Sequence, residues 1–196
     1  MSDISVVLIQ KSGSPLVPVI AEAAARVLEQ PLLTIPAPPL PPIAAQAGLL
    51  AVWDLWGFDA PERQAWEPEL ALPTVGVVLA LPHAEPELAA LALRLGALGL
   101  ITAELSASVA GLVLELARIH QERICRLLAE QASLEQQMAE REVIERAKRV
   151  LMASLQISEA EAMQRLQKQA RNTNQRLVQV AQRVLSSYRL FNGKPE

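Results

Sequence analysis

A cluster of basic side chains dominates the C-terminal third of this sequence of 196 residues. Between Arg146 and Lys194 there are 10 Lys and Arg residues against 2 Asp and Glu residues, a local net charge of +8. A solvated surface normally carries both signs of charge, so this excess predicts a partner with negative charge. The spacing puts these residues beside apolar helix faces: Arg146, Lys148, Arg149, Arg165, Lys168, Arg171, Arg176 and Arg183. They favour binding to phosphate groups, with an ordinary helical surface as the alternative.

A structured nucleic acid fits these basic residues best. A helix-turn-helix that reads DNA usually has a tight turn with glycine, and the stretch from Leu112 to Asn192 contains neither glycine nor proline. Only 3% of the residues are aromatic, which disfavours recognition of single strands by base stacking. We therefore expect Lys, Arg and Asn side chains to recognise shape and phosphates. A DNA-binding, response-regulator-like transcription factor is the alternative.

Residues that could support catalysis or bind a metal are sparse. His83 and His120 lack Cys or carboxylate partners at metal-binding spacing, and the single cysteine, Cys125, has no accompanying His and Asn. There is no Ser-His-Asp set, glycine-rich phosphate loop or pair of carboxylates. We predict no enzymatic activity, no metal and no cofactor. One cysteine, no secretory signal and no membrane-length apolar stretch predict a cytoplasmic protein.

Two halves of different composition must position these residues. Residues 1–111 hold seven of the 8 glycines and 13 of the 14 prolines, and carry 4 basic against 11 acidic residues (net −7). Residues 112–196 carry 14 basic against 10 acidic residues (net +4). These counts predict a turn-rich globular domain followed by uninterrupted helix.

The acidic half alternates between strand and helix patterns. Short apolar or β-branched runs predict five strands, over residues 4–9, 32–35, 49–53, 74–81 and 98–102. Helical spacing is clearest over residues 19–28 and 85–95. Strands separated by helices pair in parallel, so we expect an α/β, flavodoxin-like first domain over residues 1–107.

A long amphipathic helix follows this domain. Its apolar residues recur at alternating steps of four and three, the pattern of a two-stranded coiled coil. We predict a coiled-coil linker helix over residues 108–140 that forms a homodimer, the alternative being a helix that packs on its own domain. The predicted seam consists of Val113, Ala117, His120, Ile124, Leu127, Gln131, Leu134 and Met138, in which the polar His120 and Gln131 would fix the register.

The last third predicts a bundle of three short helices over residues 141–192. The first is expected to continue from the long helix and to end near Gln156 and Ile157. Ser158 and Glu161 form a capping box, which begins the second helix. Asn172, Thr173 and Asn174 are expected to begin the third helix, because their side chains can accept hydrogen bonds from free amides.

This bundle resembles an ANTAR domain. Residues 141–152, REVIERAKRVLM, look like its opening helix, and Ser158 to Ala162, Leu166, Ala170 and Leu177 to Ala181 continue the pattern in order. With the preceding helix and α/β domain, the chain is similar to antitermination regulators of the AmiR/NasT type. The resemblance implies an RNA-binding domain that stabilises a pair of antiterminating hairpins in a nascent leader transcript.

The same resemblance singles out particular residues of the bundle. Ala147, Lys148 and the stretch from Arg171 to Arg176, which includes Asn174, fall where the family pattern is most characteristic. Arg149 departs from the family, which often has a small residue there. The predicted RNA-binding set is therefore Arg146, Ala147, Lys148, Arg149, Arg165, Lys168, Arg171, Asn174 and Arg176.

The first domain then resembles a receiver domain of the response-regulator type. Phosphotransfer in receivers needs an acidic pair after the first strand to bind Mg²⁺, an aspartate after the third, a hydroxyl on the fourth and a lysine on the fifth. Here Gln10 and Lys11 follow the first strand, and Asp54 is the one required group that remains. We expect a pseudo-receiver in which Asp54 is not a functional phosphoacceptor.

Control by another molecule follows from that expectation. The resemblance implies a ligand-sensing partner protein, and the acidic segment from Trp53 to Glu69 is the predicted docking surface. A scaffold that only dimerises through residues 113–141 is a further alternative.

Overall fold

A computed structural model describes residues 5–27, 32–36, 38–40, 48–83 and 86–192 of the chain. Four residues that the sequence patterns include, Ile4, Leu28, Glu85 and Lys194, lie outside these ranges. The chain divides into two compact units, Met1–Leu128 and Ala129–Glu196.

The first unit contains a parallel sheet of five strands. Its elements are β1 Ser5–Ile9, α1 Val17–Val27, β2 Leu33–Ile35, β3 Leu49–Asp54, α2 Ala60–Leu70, β4 Val75–Leu81, α3 Pro86–Leu95 and β5 Gly99–Thr102. The strand order is β2-β1-β3-β4-β5, and the four neighbouring pairs are parallel. This is the order of a flavodoxin-like, doubly wound sheet, so the predicted fold class is confirmed.

Helices cover both faces of this sheet. Successive residues of a strand point to opposite faces, and β3 places Ala51 and Trp53 in one core cluster and Leu50 and Val52 in the other. The first cluster packs against α2 and α3, the second against α1 and the start of the next helix. Because both faces are buried, β3 and β4 are continuous apolar runs, as in other parallel sheets.

That next helix, α4, is a single helix from Ala107 to Leu155. Its first turns pack closely on the sheet because glycines face them. A Cβ added to Gly99 would lie 2.5 Å from Cγ1 of Val113, and one added to Gly48 would lie 2.6 Å from Sγ of Cys125. The same addition at Gly76 would lie 2.8 Å from Oε1 of Gln121. Glycine at these positions therefore permits the helix to approach the sheet.

Two residues of the predicted dimer seam are needed for this packing. Ala117 is fully buried in the core of the first unit, and Val113 packs against the same cluster. Assigning them to an intermolecular seam was wrong, because both side chains pack against the sheet of their own domain and are not available to a second chain. The alternative interpretation, a helix packed on its own domain, applies to this part of α4.

Helix α2 was missed in the sequence because it contains Pro61 and Pro68. Proline is tolerated in the first turn, where its missing amide has no helical partner. Asp59 and Glu62 form a capping box that was readable as a helix start: the Glu62 amide donates to Oδ1 of Asp59 at 2.9 Å, and the Asp59 amide donates to Oε2 of Glu62 at 2.9 Å.

The predicted docking segment is buried only in part: Trp53, Asp54, Leu55, Phe58 and Trp66 are buried, and its other residues are exposed or half-buried. Trp53 is 0% exposed and Trp66 1% exposed, and Trp53 contacts Phe58 edge to face. Only Trp56, at 40%, presents an exposed indole ring. The docking prediction for the segment from Trp53 to Glu69 is therefore wrong for the two buried tryptophans, whose large apolar rings fill the space between sheet and helix.

The second unit consists of the remainder of α4, α5 (Glu159–Thr173) and α6 (Leu177–Asn192). The predicted continuation of the long helix into the bundle is confirmed. Among the helices that the structure describes, none is both long and apolar enough to cross a membrane.

Candidate nucleic-acid interface

Small side chains form the core of the three-helix bundle. Ala147, Leu166, Val180 and Ala181 are buried together, one or two from each helix. Alanine at the contacts between helices allows their backbones to approach closely. Ala147 is 0% exposed, so its predicted direct contact with RNA is corrected to a packing role.

The turn from α4 to α5 follows the prediction. Gln156 adopts a left-handed conformation, with φ of 50°, and breaks the long helix. Ser158 then caps α5: the Glu161 amide donates to its Oγ at 3.3 Å, and the Ser158 amide donates to Oε2 of Glu161 at 2.9 Å. The hydrogen bonds from Ser158 hold the pKa of Glu161 below its usual value. The predicted capping box is confirmed.

The turn from α5 to α6 differs from the prediction. Helix α5 continues through Thr173, and Asn174 ends it in the left-handed conformation, with φ 51° and ψ 44°. The Gln175 amide donates to the Ala170 carbonyl at 3.0 Å, which satisfies a free acceptor at the helix end. The expectation that residues 172–174 begin the third helix was wrong, since asparagine suits a left-handed C-cap as well as an N-cap.

Lys148 joins α4 to α5. Its Nζ donates to Oε1 of Glu145 at 2.9 Å and to Oε1 of Glu159 at 2.6 Å, and its side chain is only 9% exposed. The hydrogen bond to Glu159 and then that to Glu145 raise the pKa of Lys148 above its usual value. Both its charge and its donors are engaged by these two carboxylates, so Lys148 holds α5 against α4, and its direct contact with RNA stays a prediction.

The other predicted RNA-binding side chains are exposed on the bundle. Arg146 pairs with Glu142 at 3.0 Å, and Arg176 pairs with Glu140 at 3.1 Å. Within the described residues, no carboxylate lies within 4.0 Å of the charged groups of Arg149, Lys168, Arg171 or Arg183. Arg165 and Asn174 are exposed as well. The surface therefore combines two neutralised arginines with at least four cations that are available to phosphates.

An exposed apolar stripe runs along α4 beside the residues that face the glycines. Of the predicted seam residues, Ile124, Leu127, Leu134 and Met138 are exposed apolar residues, and His120 and Gln131 are exposed polar ones. Sequence reasoning missed further exposed members nearer the start of the helix: Val109, Leu112, Leu116 and Ile119. These residues also recur at steps of three and four, as in a coiled coil. The buried stripe that includes Val113 and Ala117 has the same spacing, and the predicted seam began with those two residues instead.

The receiver-like end of the sheet has a lysine ion pair where receivers have an acidic pair. Nζ of Lys11 is paired with the Glu62 carboxylate, donates to the Gly57 carbonyl at 3.1 Å and lies 5.2 Å from the ring centroid of Phe58. The hydrogen bond from Lys11 lowers the pKa of Glu62. In the part of the chain that the structure describes, no three His, Cys, Asp or Glu side chains are grouped for a metal ion.

Asp54 lies at the end of β3 and is fully buried. Its Oδ1 accepts the Trp56 amide at 3.0 Å, while its Oδ2 has no hydrogen-bond partner among the described residues. Burial raises the pKa of the Asp54 carboxyl, and its interactions with Ser14 and the Trp56 amide oppose this. A carboxyl group in this environment supports the turn after β3.

Some partners of the bundle could not be found from the sequence. Glu145 lies three residues before Lys148, the spacing of a helical ion pair, so this contact was readable. Glu159 and Glu140 pair across helices, and only the packed structure brings them to Lys148 and Arg176.

Comparisons with known proteins agree with this geometry. Residues 132–185 match the sequence profile of the ANTAR domain, so the chain carries an ANTAR domain and the resemblance seen in the sequence is confirmed. The nitrate regulatory protein of Klebsiella oxytoca is 36% identical over 84 residues, which are 43% of this chain and 21% of that protein. The chain thus spans about a fifth of the length of the curated relative that it matches.

One solved structure supports the fold. The response regulator StyR matches with a TM-score of 0.58 at 14% identity, over 91% of this chain and 98% of that one. A pilus assembly-related protein from Burkholderia pseudomallei covers 59% of this chain and 90% of its own at 18% identity, with a TM-score of 0.46. At such identities the StyR match concerns the fold alone.

Proposed function

Because residues 132–185 form an ANTAR domain, we propose that this chain is an RNA-binding transcription antitermination regulator that binds hairpins in a nascent leader transcript. The observation that supports this most directly is the exposed set of unpaired cations on a bundle whose own carboxylates are engaged elsewhere. Arg149, Lys168 and Arg171 are available to phosphates, whereas Lys148 is held by Glu145 and Glu159.

The proposed contacts include both free and paired cations. Arg146 and Arg176 each have a surface carboxylate partner, and exposed ion pairs of this kind contribute little to stability. A phosphate group can therefore replace Glu142 or Glu140 at small cost. Arg165 and Asn174 complete the proposed contact set, and Lys148 supports it by fixing α5 against α4.

The proposal includes a homodimer that presents two bundles to two hairpins. Its interface is the exposed apolar stripe of α4, from Leu112 and Leu116 to Leu134 and Met138, which are 65%, 58%, 60% and 73% exposed. Leucine-rich steps of three and four on a helix fit a second copy of the same helix. This interface replaces the seam that included Val113 and Ala117.

We further propose control by a ligand-sensing partner protein rather than by phosphorylation. Two features argue against phosphorylation: the Asp54 carboxyl is buried, and Lys11 is paired with Glu62 at the place where receivers hold Mg²⁺. Acetyl phosphate with Mg²⁺ should then leave RNA affinity and protein mass unchanged. A phosphorylated Asp54 with altered RNA affinity would contradict this part of the proposal.

The RNA proposal is tested by direct binding measurements on the full chain. The protein should bind a tandem-hairpin RNA more tightly than random duplex DNA at about 150 mM salt, where non-specific phosphate binding is weakened. Arg171→Ala should weaken RNA binding, whereas Arg94→Ala, a matched arginine in an ion pair on α3, should not. Equal affinity for both nucleic acids would contradict the proposal.

A further inference from the structure

A cavity of about 390 Å³ lies within the second unit, among α4, α5 and α6. Its walls include Val150, Leu151 and Val184, and its polar lining includes Gln175, Arg183 and Tyr188. The volume falls in the range of small-molecule sites, which combine apolar walls with a few polar groups. Val180, Leu151 and Val184 line the cavity on the side that also packs against the core of Ala147, Leu166 and Ala181, so the cavity opens beside that core.

Tyr188 gives this cavity an aromatic face. It is the one aromatic side chain that the structure describes in the second unit, and it is 39% exposed although it lies on the apolar side of α6 in the helical pattern. A half-exposed phenol ring beside aliphatic walls offers a flat surface for stacking. RNA-binding proteins use such rings to stack on bases that are splayed out of a loop.

Gln175 and Arg183 add the polar groups that a nucleotide requires. Oε1 of Gln175 is buried and has no hydrogen-bond partner among the described residues, so the amide is not committed to the bundle. A buried acceptor of this kind is costly until a donor reaches it, and base edges carry amino and ring N–H donors. Arg183 is free of carboxylates in the described structure and can pair with the phosphate next to the base.

We propose that this cavity binds one unstacked base from the loop of an RNA hairpin. The inference rests on the proposed function and deepens it, since it gives the bundle a means of reading a loop in addition to phosphates. The aliphatic walls and the Tyr188 ring hold the faces of the base, the Gln175 amide meets its edge, and Arg183 meets the adjoining phosphate. The positive charge of the surrounding surface favours a nucleotide over an apolar peptide as the occupant.

The test uses the full chain and the tightest RNA selected by the wild-type protein from a pool of tandem hairpins with randomised loops. Tyr188→Leu removes the ring, and Ser187→Trp places a large side chain at the cavity. Each should weaken binding about tenfold, the lower range for loss of one base–aromatic stack. Tyr188→Phe keeps the ring and should bind almost as the wild type does. Circular dichroism melts establish that each variant is folded.

A second measurement locates the base. Loop nucleotides are replaced one at a time by abasic sites, and one of these RNAs should bind about tenfold more weakly to the wild type but no more weakly to Tyr188→Leu. Folded Tyr188→Leu and Ser187→Trp proteins with wild-type affinity would overturn the cavity proposal and leave the proposed function intact. If these two variants changed dimerisation but not RNA affinity, the cavity proposal would be overturned, and a second copy of the chain would be the occupant of the cavity. A wild-type protein that selects no hairpin RNA would overturn both.

Discussion

Nζ of Lys148 on α4 and Oε1 of Glu159 on α5 are 2.6 Å apart, and this ion pair ties the start of α5 to the long helix. A second carboxylate, from Glu145, accepts from the same ammonium group at 2.9 Å. Lys148 therefore helps to orient α5, which carries Arg165, Lys168 and Arg171.

We expect Lys148→Met to act on stability and not on phosphate contacts. The variant leaves Glu145 and Glu159 without their shared donor, so the melting temperature of the chain should fall. RNA affinity should fall with it, because α5 is less well held. The dependence of affinity on salt should stay as in the wild type, since no phosphate contact is lost. A salt slope reduced by about one would show that Lys148 binds a phosphate directly.

Acid should weaken the bundle through Glu159. The hydrogen bond from Lys148 lowers the pKa of Glu159 from 4.5, so its stabilising effect is complete above pH 4.5 and is lost as the pH falls through the lowered value. Glu161 contributes in the same direction through Ser158. Melting curves between pH 3 and pH 7 should show a smaller loss of stability in Glu159→Gln than in the wild type. The matched change Glu130→Gln, on an exposed part of α4, should keep the wild-type profile.

High pH should also weaken the ion pair of Lys148 and Glu159, because it removes the proton from Lys148. The raised pKa of Lys148 means that its contribution is complete below pH 10.5 and is lost as the pH rises through the raised value. Lys148→Met should therefore be less sensitive than the wild type to unfolding in strong alkali. An identical alkaline transition in both proteins would argue against the ion pair as its source.

The free cations should each contribute to the salt dependence of RNA binding. Arg149→Ala, Lys168→Ala and Arg171→Ala should each lower the slope of log affinity against log salt by about one, the value for one phosphate contact. Titrations at several salt concentrations measure this slope. Arg94→Ala is the control and should not change it. An unchanged slope for all three variants would contradict the proposed contact surface.

Dimerisation should depend on the exposed face of α4. Leu116→Lys combined with Leu134→Lys should shift the protein to monomer in sedimentation experiments, because two charges would be buried in the proposed interface. Leu93→Lys changes an even more exposed leucine, on α3, and should leave the dimer intact. Val113→Ala should lower thermal stability without dissociation, since Val113 packs against Gly99.

The glycines under α4 should differ sharply in their tolerance of alanine. Gly99→Ala places a Cβ 2.5 Å from Val113, and overpacking of this kind costs about 1–3 kcal/mol. Gly111 lies within α4, where a Cβ would lie 3.5 Å from Val27, an ordinary contact. Gly111→Ala should therefore stabilise the protein by about 0.5–1 kcal/mol through helix propensity. Denaturant unfolding compares the two, and equal effects would contradict this packing.

Much of the fold could be predicted because short stretches of sequence determine where its strands and helices begin and end. The five strands were apolar runs with clear ends, and the box of Ser158 and Glu161 marked the start of α5. Helix α2 was not predicted because it contains Pro61 and Pro68, although the capping box of Asp59 and Glu62 indicated where it begins. Asn174 was assigned to the wrong helix, because asparagine caps either end of a helix.

The site was less predictable because it depends on contacts across helices. Charge spacing gave the basic surface, but nothing in the sequence showed that Lys148 is engaged by Glu159 while Arg149 next to it is free. Likewise two stripes of similar spacing run along α4, and only the position of Gly99 and Gly76 decides which one packs on the sheet. Tyr188 had no neighbours in the sequence that indicated a cavity.

The ion pair of Lys148 and Glu159 also has a consequence for how the bundle forms. The two residues are 11 positions apart, a loop that an unfolded chain closes in about 10–100 ns. Contacts this local favour rapid folding, because little chain entropy is lost in making them. We expect α4 and α5 to pair early in folding, before α6 packs against them and completes the bundle.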